Sequence, residues 1–314
     1  MSGDCLDAYR QALEKGDGPA LRKKLIAHRG WHRLDAETAQ RPLENTRAAY
    51  AGAADLGLAF AECDVWDTAD GEIVLSHDFN LRSMAEDEGS PAAGAALAEQ
   101  RWEELRRVRL KGGGTPVLLS TVLGDLAGSG TRLVIELKSS GPAAPLAAML
   151  DSSPGLKRSV AYVMSFSLAA VEAFAGALKE RDVRVLWLLD NPVVPYEEDV
   201  KNEGETTFDY CNETLTMFLS RLGLVDRIRA LGCGLHVQYN PCLTPSHVYA
   251  WRAELASILG TVAEGAWARD EEVFIGLWTD GSGAGFDRAA TLVGWLPALS
   301  AVNTDLPAAF FEGR

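Results

Sequence analysis

The sequence predicts an α/β protein with the (β/α)8 barrel (TIM barrel) fold, carrying a small insertion after the second strand and its hairpin. Short apolar, β-branched runs alternate with longer helix-like stretches from Leu25 almost to the end of the 314 residues. There are eight such runs, whereas an open doubly wound sheet usually stops at about five or six strands. Several of the runs end in carboxylates or imidazoles, at the end of the strand where barrel enzymes keep their chemistry.

The strand candidates begin at Leu25 (LIAHRG), Phe60 (FAECDVWDT), Arg132 (RLVIELK), Ser159 (SVAYVMSF), Val183 (VRVLWLLD), Gly234 (GLHVQYN), Glu272 (EVFIGLWTD) and Leu299 (LSAVNTD). A further strand, EIVLSHD from Glu72, follows the Asp70-Gly71 turn and reads as the second arm of a hairpin. Helices are expected over residues 44–56, 120–128, 142–150, 168–180, 212–231, 245–268 and 287–295, with a short one after Pro307. Residues 25–314 therefore read as one catalytic barrel domain, preceded by a helical extension over 1–24. Two stretches exceed a minimal barrel: 79–115, acidic then Ala-rich then Gly-rich, and 192–216, acidic and turn-rich. Both follow strand ends and read as surface insertions, with a lid as the alternative.

Composition is that of an ordinary globular chain, with 47% hydrophobic and 24% charged residues. The formal charge of −14 argues against nucleic acid as a partner and against docking on anionic membranes. The five cysteines are widely spaced and form no C-x-x-C pair, which suits free thiols in a reducing compartment. The opening residues lack the features of a leader, and no run reaches the ~18 apolar residues of a spanning helix. The expectation is a cytoplasmic protein without stable membrane insertion.

Charged residues inside apolar strands are the informative ones, because burying a charge without a partner costs several kcal/mol or more. Glu62 and Asp64 stand at i and i+2 and so share one strand face, with Cys63 and Val65 on the other. Glu136 and Lys138 occupy one face of the next parallel strand in the same way. An isolated E-x-D pair also fits two solvated acids at a strand end; the acid in a second strand favours a shared interior site. Three carboxylates, an all-oxygen set, suit Mg²⁺ or Ca²⁺ better than zinc. His28 and His77 end the first strand and the hairpin strand, and imidazoles beside an acidic cluster suit an acid–base pair near neutral pH. His32, His236 and His247 lie in a loop, before an aromatic strand and at a helix start. Arg29 follows His28, and Gly30 lets the backbone turn close to a ligand. Glu44 either caps the first helix or braces Arg29 or His28. Trp278 either walls the site or belongs to the core.

The blocks IAHRG, LENT, AECDVWDTADGEIVLSHD, IELK, LWT and VNTDLP, in this order across roughly residues 25–310, resemble the glycerophosphodiester phosphodiesterases. The front block is the specific one, because chance would rarely assemble its elements within so short a span. The resemblance implies a metal-dependent hydrolysis of glycerophosphodiesters to sn-glycerol 3-phosphate and an alcohol. It implies one divalent cation held by Glu62, Asp64 and Glu136, His28 and His77 as acid and base, and Arg29 and Lys138 on phosphate oxygens. Three carboxylates and a dication leave −1, and Arg29 with Lys138 bring the pocket to +1, complementary to a monoanionic diester. A glycerol 2-hydroxyl close to phosphorus would favour a cyclic phosphate. The sequence departs from the family pattern at Trp31-His32, at the Leu43 inserted before Glu44-Asn45-Thr46, and at Leu81-Arg82-Ser83-Met84. These segments border the leaving-group side, and none removes a proposed catalytic residue. A lysophospholipase-D-like or sphingomyelinase-D-like enzyme and a non-catalytic phosphometabolite-binding barrel are the alternatives.

Overall fold

The computed structural model describes residues 22–32, 40–189, 214–239, 243–260, 273–278 and 299–305. The chain divides into two compact units, residues 25–184 and residues 1–24 with 185–314. Most of the 1–24 extension, most of the 192–216 insertion, the 287–295 helix and the helix after Pro307 lie outside the described residues.

In the unit 25–184, β1 (Leu25–Ala27) leads to α1 (Arg47–Asp55), β2 (Phe60–Asp67) and β3 (Ile73–Leu75). Then come the short α2 (Pro91–Gly94) and α3 (Trp102–Leu105), followed by α4 (Leu119–Asp125). The unit closes with β4 (Arg132–Leu137), α5 (Ala143–Ser152), α6 (Pro154–Lys157), β5 (Val160–Ser165) and α7 (Leu168–Ala177). Strands β1, β2, β4 and β5 are parallel neighbours in that order. β4 takes one edge of β2 along residues 60–65. The other edge is shared: β1 pairs in parallel at Phe60 and Ala61, and β3 pairs antiparallel from Val65 to Asp67. The strands are largely apolar on both faces, as expected of a parallel sheet covered by helices, and Glu62, Asp64 and Glu136 are the buried charged residues within them.

Helix α1 starts at Arg47, three residues later than the sequence suggests, because Asn45 has φ +53° and cannot be helical. Thr46 is its N-cap, with Oγ1 accepting from Ala49 N at 3.4 Å. Gly30, at φ +81°, must be glycine: a Cβ there would lie 2.8 Å from Ala49 Cβ, so the turn after β1 sits directly on α1. The 79–115 insertion packs around its own small core, in which Leu81, Met84, Ala93, Leu97, Leu105 and Leu110 are buried against Val74 of β3.

In the other unit, β6 (Arg184–Leu189), β7 (Gly234–Gln238), β8 (Ile275–Trp278) and β9 (Ala301–Thr304) pair in parallel in that order. Between β6 and β7 lie α8 (Leu215–Arg221) and α9 (Val225–Leu231), and α10 (Pro245–Leu259) follows β7. The single helix expected over 212–231 is thus two, broken where Gly223 adopts φ +66°. The helix expected to reach residue 268 stops at Gly260, φ +67°, a left-handed C-cap. No described helix is long and apolar enough to cross a membrane.

Candidate active site

The shared edge of β2 assembles the site. β1 stops at Ala27, opposite Ala61, which brings His28 level with Glu62. β3 runs the other way, and beyond Leu75 the Ser76 amide still donates to Asp64 O at 3.1 Å, which delivers His77 to the same stretch of edge. On the opposite edge the register sets Glu136 beside Asp64, and parallel partners project to the same face. Glu62, Asp64 and Glu136 therefore converge, each with an oxygen within 4.8 Å of the others.

All three carboxylates are buried. Burial, then repulsion from Asp64, pushes the Glu62 pKa up to about 8. Glu136 is raised for the same two reasons. Asp64 moves down: burial opposes ionisation, but Lys138 and Arg29 outweigh it. Lys138 Nζ donates to Glu136 Oε1 at 2.8 Å and lies 3.4 Å from Asp64 Oδ1. Burial would lower the Lys138 pKa, and Asp64 and Glu136 raise it instead. Arg29 lies between acids, with Nη1 donating to both Glu44 oxygens at 3.2 and 3.1 Å and Nε 3.5 Å from Asp64 Oδ2. Its backbone N–H donates to Glu62 Oε2 at 2.8 Å. Glu62 Oε1 is buried with no hydrogen-bond partner. An orphaned carboxylate oxygen in an all-oxygen cluster is the arrangement a hard divalent cation would complete. The triad can hold a metal ion.

His28 Nε2 lies 3.9 Å from Glu62 Oε2, and His77 Nδ1 lies 3.0 Å from Asp78 Oδ1. Burial lowers the His77 pKa, with Asp64 the leading opposing influence. Of the residues singled out in the sequence, His28, Arg29, Glu44, Glu62, Asp64, His77, Glu136 and Lys138 all lie in the unit 25–184. Glu44 braces Arg29 and does not cap α1. Lys138, read as a phosphate ligand, is also the ion-pair partner of two members of the triad. Trp278 belongs to the other unit, half-buried at the end of β8, level with Gln238 and Asn303.

Two contributors escaped the sequence reading. Asn45 is buried: its Nδ2 donates to Asp64 Oδ2 at 2.8 Å, and its Oδ1 accepts from the Asp64 amide at 3.2 Å and from Tyr50 Oη at 2.8 Å. Asp78 couples His77 to Ser83. An Asn directly before an N-cap Thr was the available signal for the first; the second depends on how the insertion folds back. Arg29 and Asn45 are the only non-glycine residues with positive φ among the described residues, so backbone strain is concentrated at this site.

Residues 28–194 match the model of the glycerophosphoryl diester phosphodiesterase family. Among solved structures, a glycerophosphodiester phosphodiesterase from Thermotoga maritima is 21% identical, with a TM-score of 0.59 over 93% of this chain and 98% of that one. One from Agrobacterium tumefaciens is 16% identical, TM-score 0.57, over 92% and 97%. An Oleispira antarctica phosphodiesterase, solved with the product sn-glycerol-3-phosphate, is 19% identical, TM-score 0.55, over 93% and 97%. At such identities these likenesses speak for the fold. No curated protein matches the chain. The family match takes in more than half of the sequence and every one of the grouped site residues, so the chain belongs to the glycerophosphoryl diester phosphodiesterase family and is a (β/α)8-barrel enzyme.

Proposed function

We propose that the protein hydrolyses glycerophosphodiesters to sn-glycerol 3-phosphate and an alcohol, with a divalent cation, Mg²⁺ or Ca²⁺, held by Glu62, Asp64 and Glu136. The observation that carries this is the buried triad drawn together by β2 and β4, with His28 and His77 delivered beside it along the other edge of β2. Family membership supports the reaction, and the product bound to the Oleispira antarctica enzyme supports a small phosphodiester as substrate. Bound at the triad, the cation supplies Lewis acidity to a phosphoryl oxygen and offsets the charge that develops there.

The side chains do the rest. Lys138 has three N–H groups and can turn one to a phosphate oxygen while keeping its carboxylate partners. Arg29, fixed by Glu44, presents its remaining guanidinium hydrogens to the same group. One of His28 and His77 takes the proton of the glycerol 2-hydroxyl as its oxygen attacks phosphorus, and the other gives a proton to the departing alcohol oxygen. The resulting cyclic phosphate is opened by water with the two roles exchanged. Intramolecular attack spares the entropy of ordering a second reactant.

The test is a panel of choline, ethanolamine, inositol and glycerol esters of glycerol 3-phosphate, assayed for released glycerol 3-phosphate with Mg²⁺, Ca²⁺ or chelator. Release that stops with chelator is expected; release indifferent to chelator rules out the metal role, and none from any ester rules out the reaction. Faster cleavage of lysophosphatidylcholine than of glycerophosphocholine would move the assignment to a lipid-cleaving relative. His28→Ala and His77→Ala should each lower kcat by about 10²–10⁴-fold with folding and cation binding intact, and substantial turnover in either counts against its role.

A further inference from the structure

His77 is oriented by hydrogen bonds that begin in the 79–115 insertion. Its Nδ1 is 3.0 Å from Asp78 Oδ1, and Asp78 Oδ2 accepts from Ser83 Oγ at 2.7 Å. A carboxylate ion only accepts, so the ring hydrogen of neutral His77 belongs on Nδ1, and Nε2 is left for other work. The segment carrying these groups is clamped on both sides. Ser76 Oγ donates to Asp78 O at 2.9 Å. Lys111 donates from Nζ to Ser83 O and from its backbone N–H to Met84 O, both at 2.8 Å. Leu81 and Met84, on either side of Ser83, are buried in the insertion's own core, and Leu81 N donates to Ala93 O at 3.0 Å. The His77 and Asp78 side chains are 38% and 42% exposed, so a lone bond between them would compete with water. The second bond to Asp78 and the clamped backbone are what hold the pair.

We infer that Asp78, locked by Ser83, is a positioning residue that keeps the hydrogen of His77 on Nδ1 and dedicates Nε2 to proton transfer, so that the insertion serves as the mount of this imidazole. The inference rests on the proposed role of His77 as a proton carrier. In Asp78→Asn the amide oxygen can still accept from Ser83, but the amide nitrogen turned toward His77 donates, which favours the opposite tautomer.

Two readouts on the full chain test this. Nitrogen-15 NMR of the histidine rings, recorded without metal, should show neutral His77 passing from the Nδ1–H to the Nε2–H form in Asp78→Asn. With glycerophosphocholine as substrate, kcat should fall by about 10- to 100-fold, while KM, calorimetric Ca²⁺ affinity and the thermal midpoint stay unchanged. Ser83→Ala, an exposed change that does not threaten folding, should shift both readouts in the same direction by less. An unchanged tautomer in Asp78→Asn, or kcat within about twofold of the parent, overturns the inference. Turnover surviving in His77→Ala would instead overturn the proton-transfer reading beneath it, which the NMR result does not depend on.

Discussion

At position 62 a carboxyl is sealed from solvent beside Asp64, and burial followed by that repulsion takes its pKa from 4.5 to about 8. Between those values the folded, metal-free protein holds a proton that the unfolded chain has lost, so stability falls as pH rises through this window. Glu136, raised for the same reasons, adds to the trend. A thermal-melt series on chelated protein should therefore show a midpoint that drops from pH 5 to pH 8. Saturating Ca²⁺ or Mg²⁺ should oppose the drop, because the ion binds the ionised form and its affinity rises over the same interval. Glu62→Gln should flatten part of the pH dependence and weaken cation binding in calorimetry; unchanged binding would remove Glu62 from the ligand set. Asn45→Ala strips Asp64 of two hydrogen bonds and Tyr50 of one, and puts a less tolerant residue in a left-handed conformation, so a loss of about 2–4 kcal/mol is expected in urea denaturation. The three acids were legible because strand alternation alone decides their face. Asn45 and Asp78 were not, since a left-handed backbone and a fold-back from an insertion leave no periodic trace.

Each element's ends are set by local chemistry that the sequence only partly advertises. The strand runs were readable because their apolar residues are continuous and their length is short. Helix ends were less so: the left-handed glycines at 223 and 260 stop or split helices whose apolar pattern continues past them. The insertion read as decoration because its composition is Ala-, Gly- and acid-rich, yet its scattered leucines close on one another and on Val74 of β3. Leu97, fully buried in that cluster, gives a measure of its worth: Leu97→Ala should cost about 2–5 kcal/mol by chemical denaturation. A near-neutral result would mean the cluster is loosely packed and unable to fix Ser83.

For the molecule as a whole the net charge of −14 favours a dication at long range, and salt screens that attraction within about 8–10 Å at physiological ionic strength. Ca²⁺ affinity by titration calorimetry should thus weaken a few-fold when monovalent salt rises from about 10 to 150 mM, and salt-independent binding would mean that the buried triad alone sets it. The barrel was legible at this scale from the alternation of strand and helix along the sequence. Structures only 16–21% identical share this fold. Since β2 acts as a common ruler for the ligands and for both imidazoles, placement errors do not accumulate across the chain, and distant surroundings are free to drift. The practical yardstick for sorting remote sequences is then the set of intervals between positions 28 and 138, not overall resemblance.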